Sequence, residues 1–158
     1  EQGYTIVGLE MVQQAVEIFF SENQLEFDMI EIGKHKKFSS HPFTIFQGDL
    51  FDLDIGVIQA DSWYDRAALI AIEPSKRENY VDQIRKQTKL GAVGLLITFA
   101  YPQEQMQGPP YALHDDDVIS LFSDGFELEC LEKIDLEDDK DRNLTNVSSS
   151  IFKIRRIN

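Results

Sequence analysis

The sequence predicts an open α/β sheet, and three observations point there. Short β-rich apolar runs alternate with stretches of helical period from Tyr4 to about Lys89. Residues 93–100 form a near-continuous apolar run, as expected of a parallel strand buried on both faces. The chain closes on two further strand-like runs, 126–134 and 149–157, joined by the charged tract 135–143.

Residues 4–9 read as the first strand. The helix after it follows from the spacing of Met11, Val12, Ala15, Val16, Phe19 and Phe20. Residues 29–32 and 42–47 read as strands, with the basic, polar stretch 34–40 as a loop or hairpin between them and Gly48-Asp49 closing the second. A weak strand is predicted near 60–63, then a short helix over 66–72. Pro74 suits the start of the next helix, which should run to about Lys89 and stop at Gly91. Gln103 to Ala112 holds two of the five prolines, with Pro102 just before it, and reads as a loop. Asp115, Asp116 and Asp117 suit the N-terminus of a last helix, where carboxylates meet the positive end of the dipole.

The 158 residues suffice for one core, so a single domain over 1–158 is expected. A net charge of −13 repels both nucleic-acid phosphates and anionic membrane surfaces, which argues against either as a partner. The single cysteine, Cys130, cannot form an internal disulfide, and His35, His41 and His114 have no metal-site spacing; no metal is expected and a cytoplasmic location fits. Cys130 and the aromatics Trp63, Tyr64 and Tyr101 are read first as structural. No Ser/His/Asp or Cys/His set for nucleophilic catalysis stands out, so no catalytic residue is assigned.

In an open α/β sheet ligands bind beyond the carboxyl ends of the strands. Glu10, Asp49, and Asp65 with Arg66 all fall there. Glu10 either takes the two hydroxyls of a ribose or simply serves a helix N-terminus. Asp49 is either a ligand residue or a cap. Arg66 either faces an anionic ligand with its planar fork or pairs with Asp65.

The stretch 62–74 (SWYDRAALIAIEP), together with Glu10, Gly48-Asp49-Leu50 and Gly108-Pro109-Pro110-Tyr111, resembles the thiopurine S-methyltransferase family in its bacterial form, almost from end to end. The resemblance implies a Rossmann-like class I methyltransferase sheet with helices on both faces and S-adenosylmethionine as methyl donor. It further implies that Glu10 takes the ribose and that Asp49 and Leu50 flank the adenine. Arg66 would bind the donor's carboxylate or the acceptor, and Pro110 and Tyr111 would cover an acceptor pocket, the tyrosine ring stacking on a flat substrate. The expected partner is a small aromatic or heterocyclic thiol, with the protein acting as a monomer. Halide or thiocyanate, and selenium or tellurium, methyl transfer are the neighbouring enzyme alternatives; a non-catalytic module of the same fold is a third reading.

Two departures stand out. Tyr64 separates Trp63 from Asp65, where the family pattern sets tryptophan beside aspartate. The sequence also starts at Glu1 with no Gly-rich donor loop upstream of its first strand, so the domain is expected to be N-terminally incomplete, its central first strand lying outside 1–158. A chain that truly began at Glu1 is expected to bind the donor weakly or not at all.

Overall fold

The computed structural model describes residues 3–158, so expectations about the segment at and before Gln2 lie outside the described residues. The chain forms two compact units, Glu1–Ile58 and Gln59–Asn158.

In the first unit, β1 (Ile6–Glu10), β2 (Asp28–Ile32), β3 (His35–Ser40) and β4 (Phe43–Gln47) form a sheet of order β1-β4-β3-β2. β1 runs parallel to β4, and β2, β3 and β4 form an antiparallel meander. Helix α1 (Gln13–Glu22) packs through Val16 and Phe20 onto Phe38 of β3, with Phe19, Leu25, Phe43 and Ile45 around them. Its apolar residues recur at the three- and four-residue intervals that put them on one face. Burying Phe20 completely contributes about 2–3 kcal/mol. The helix stops at Asn23, whose backbone and side-chain nitrogens both donate to the Phe19 carbonyl.

One expectation fails here. The stretch 34–40, predicted as a loop or hairpin between two strands, is largely a strand of its own, β3, paired on both sides. Its polar residues are half-buried while His35 and Phe38 are buried, so the strand is held by its neighbours rather than by its own apolar content.

In the second unit, β5 (Ala60–Asp65), β6 (Thr88–Ile97), β7 (Phe126–Asp135) and β8 (Ser148–Arg156) form a sheet of order β5-β6-β8-β7. β5 and β6 are parallel; β8 is antiparallel to both its neighbours. Helices α2 (Ala68–Ala71) and α3 (Arg77–Gln87) lie between β5 and β6, and α4 (Asp115–Leu121) precedes β7. Trp63 stacks on Phe122 at 6.0 Å between ring centroids, and its indole occupies the space a Cβ on Gly94 would need, which is why β6 has glycine there. Trp63, half-buried, is thus a packing residue, whereas Tyr64 beside it is exposed and the structural reading of it does not hold.

The region around α3 differs from expectation. The predicted helix over 66–72 is a single turn, Ala68–Ala71, that leaves Arg66 and Ala67 outside it. Pro74 opens a 3-10 turn (Pro74–Lys76) that leads into α3. α3 ends at Gln87 rather than near Lys89, and β6 starts at once with Thr88, whose hydroxyl donates to the Ile84 carbonyl. Gly91, at φ +83°, therefore sits inside β6 where its register with β5 shifts, not at a helix end. β6 is also not buried on both faces: Ala92, Gly94 and Leu96 are buried while Val93 is exposed and Leu95 and Ile97 are half-buried. Among the described residues, no helix is long and apolar enough to cross a membrane.

Candidate functional site

Each unit carries candidate residues at the C-terminal end of a parallel strand. In the first unit, Glu10 is the last residue of β1, paired with Gln47 of β4. The Gly48 amide donates to the Glu10 carbonyl at 2.9 Å, so the end of β1 and the turn after β4 are tied together. Glu10 Oε1 accepts the Val12 amide at 2.8 Å; among the described residues Oε2 has no hydrogen-bond partner.

Asp49 caps the 3-10 turn Leu50–Asp52, with Oδ1 accepting the Phe51 amide at 3.0 Å, while half-buried Leu50 opens that turn. The cap reading of Asp49 is thus real and leaves Oδ2 over. The Asp49 carbonyl accepts from His35 Nε2 at 2.8 Å. A carbonyl cannot donate, so this fixes the His35 tautomer with its proton on Nε2. His35 is 3% exposed, and its ring fills the place of a side chain at Gly48. Sequence reading missed this histidine because it considered histidines only as metal ligands. Among the described residues no group of three or more His, Cys, Asp or Glu is gathered to hold a metal.

In the second unit, Asp65 ends β5 and is 4% exposed. Its carboxylate accepts the Ala68 amide at 2.9 Å, the Leu69 amide at 3.1 Å and the Tyr80 hydroxyl at 2.7 Å. Arg66 makes no ion pair or hydrogen bond with any described residue, so the pairing of Arg66 with Asp65 does not occur. Arg66 instead lines a cavity of about 500 Å³. Ala67, Ile70 and Ala71 form the same wall; Ile97 ends β6 and Thr98 and Phe99 follow it, Pro109 and Pro110 come from the loop, Leu136 and Arg142 from the connection between β7 and β8, and Ser149 from β8.

The loop 108–113 is pinned at several points. Tyr101 donates to the Pro110 carbonyl at 2.6 Å, the Tyr111 amide to the Ile70 carbonyl at 2.7 Å, and the Ala112 amide to Gln103 Oε1 at 2.9 Å. Arg77, 4% exposed, reaches the Ala112 carbonyl at 3.0 Å and the Tyr111 carbonyl at 3.4 Å through Nη2. Burial lowers the Arg77 pKa from its usual value, against the opposing pull of Asp117. The loop is therefore a fixed wall.

Arg66 and Pro110 line the same cavity. Tyr111 does not line it: its ring packs against its own loop, over Gly108, whose φ of +89° and missing Cβ make room for it. In this arrangement the Tyr111 ring is turned to its own loop rather than to the cavity. Arg142, whose Nη1 lies 3.1 Å from Asp139 Oδ2, and Ser149 were not singled out from the sequence; they enter the wall only through the return from β7 to β8.

The model of the family described as thiopurine S-methyltransferase matches residues 1–156. A protein of Shewanella pealeana named thiopurine S-methyltransferase is 37% identical over 99% of this chain and 74% of its own length. A protein of the same name from Shewanella baltica is 41% identical over 90% of this chain and 66% of its own length. The chain thus spans about two thirds to three quarters of the length of these relatives. Among solved structures, a SAM-dependent methyltransferase from Methanosarcina mazei superposes with a TM-score of 0.70 at 14% identity, over 99% of this chain and 84% of that one. That likeness speaks for the fold.

Proposed function

The chain belongs to the thiopurine S-methyltransferase family of S-adenosylmethionine-dependent enzymes, and on that premise we propose that the full-length protein methylates a small aromatic or heterocyclic thiol held at the Arg66 cavity. The observation that carries the proposal is the unpaired Arg66 guanidinium on a cavity otherwise walled largely by apolar side chains. A cation there favours a bound thiolate over the thiol, and the Ile70, Phe99 and Pro110 surfaces suit a flat ring.

S-adenosylmethionine, when bound, supplies a methyl group on a sulfonium, which a thiolate displaces in line without a covalent enzyme intermediate. The residues present fit that donor. Glu10 keeps one carboxylate oxygen for a ribose diol, and Asp49 with half-buried Leu50 offers a polar and an apolar contact for the adenine. Arg66 acts on the acceptor by holding its negative charge; Pro109 and Pro110 orient it and exclude water. Once the thiol proton has gone to solvent, no general base on the protein is required. The excess of acidic residues favours a monomer through self-repulsion, and the exposed thiol of Cys130 suits a reducing, cytoplasmic setting.

The test is an assay of the full-length gene product with S-adenosylmethionine and 6-mercaptopurine. Formation of the S-methyl product supports the reading. Methylation of thiocyanate, iodide or selenium compounds without thiol methylation, or binding with no turnover, would replace it with one of the alternatives.

A further inference from the structure

We propose that Tyr80 is a positioning residue for the acceptor site, its buried hydroxyl holding Asp65 and, through Asp65, the bend that presents Arg66 to the cavity. The inference rests on the reading of Arg66 as the acceptor's cation.

Asp65 is a buried carboxylate with no cation in ion-pair range among the described residues. Three neutral donors hold it: the amides of Ala68 and Leu69, and the Tyr80 hydroxyl. The amides are the free N–H groups at the start of α2, so Asp65 performs the capping that Ala67, the residue before the helix, cannot. Ala67 stands at φ −146° and ψ −5°, neither extended like β5 nor helical like α2, and this one bend sets the direction of Arg66. Arg66 and Ala67 then both face the cavity.

Tyr80 stands on α3 and is 5% exposed. A phenylalanine would fill that packing position as well, so the hydroxyl answers to Asp65 alone. Burial, reinforced by the Asp65 charge, raises the phenol pKa well above 10.0, so Tyr80 keeps its proton and remains a donor at any working pH. Removing that donor leaves a buried carboxylate one partner short, and the strain falls on its remaining contacts, the two amides that make the bend.

The test is a double-mutant cycle in the full-length gene product with Tyr80→Phe, Arg66→Ala and the pair. With 6-mercaptopurine as acceptor, Tyr80→Phe should lower kcat/KM about tenfold, the scale of one hydrogen bond to a charged group. In the Arg66→Ala background the same change should cost less than about twofold, since the group it positions is gone. Affinity for S-adenosylhomocysteine should stay constant. An unchanged kcat/KM, an equal loss in both backgrounds, or a parallel loss of S-adenosylhomocysteine affinity would overturn the proposal. If the wild-type protein does not methylate thiols, the reading of the acceptor fails, and a crystal structure of Tyr80→Phe decides the inference. A displaced Ala67 bend supports it; an unmoved bend with Arg66 in place overturns it.

Discussion

The ends of β1 and β5 meet the same structural demand in different ways. Each is the last turn of a parallel strand with one partner in its sheet, and each must satisfy the amides that follow. At β1 a single residue does both jobs: Glu10 bonds the Val12 amide with one oxygen and offers the other. At β5 the work is divided, with buried Asp65 holding the amides and Arg66 left free. On the proposed function, the difference means that a change at Glu10 should mix folding with binding, whereas a change at Arg66 should touch binding alone.

The largest effect that would sharpen this contrast is expected from Arg66→Ala. Loss of a charge-assisted contact to the acceptor should lower kcat/KM for 6-mercaptopurine about 100-fold. The Tm should barely move, because no described residue depends on the guanidinium. A drop in Tm comparable to the loss of activity would erase the contrast. At the other strand, Glu10→Ala is expected to weaken S-adenosylhomocysteine binding about tenfold and also to cost about 1 kcal/mol of stability as the Val12 amide loses its acceptor. Glu10→Gln keeps an oxygen for that amide, so in calorimetry and thermal melts it should lose affinity while keeping the Tm.

His35→Phe probes the support of the neighbouring turn. With the bond to the Asp49 carbonyl gone, about 1 kcal/mol of stability should be lost. Donor affinity should fall a few fold, less than for Glu10; full donor affinity with an intact Tm would remove His35 from the account.

The smallest effect is a control away from both strand ends. Lys133 lies 2.7 Å from Asp115 at the start of α4. Although burial pushes the Asp115 carboxyl up, hydrogen bonds from Lys133 and Ser150 and the Lys133 charge hold it below its ordinary 3.8. A carboxyl lowered on folding stabilises the protein above the unfolded value and loses that contribution as pH falls through the folded one. Asp115→Asn should therefore cost at most about 0.5 kcal/mol at pH 7, shrinking in high salt, and the gap to wild type should close below about pH 4. Denaturant melts across pH check it, and activity should be unaffected.

Much of this was legible in the sequence. Apolar periodicity located α1, β4, the body of α3 and the closing pair β7 and β8. Strand β3 was hidden because Lys36, Lys37, Ser39 and Ser40 mask the alternation of a strand whose order comes from neighbours on both sides. The end of α3 was misjudged because Gly91 looks like a helix stop, while the chain uses its positive φ for a bulge in β6. At the candidate site, Glu10, Asp49 and Arg66 stood out because strand ends can be read from pattern. His35, Tyr80 and Arg142 did not: their roles arise from contacts 14 to 15 residues away in the first two cases and from a shared cavity wall in the third. The direction of the Tyr111 ring could not be read from the sequence, since it depends on the space left at Gly108.

The division of labour between the two strand ends is tested most directly by steady-state kinetics on Glu10→Gln and Arg66→Ala in the full-length gene product, with donor and acceptor each varied. The account predicts a raised KM for S-adenosylmethionine in the first with the acceptor KM held. In the second it predicts a large fall in kcat/KM for 6-mercaptopurine with donor affinity held. A loss of donor affinity of equal size in both variants, or thiol methylation indifferent to Arg66, would contradict it.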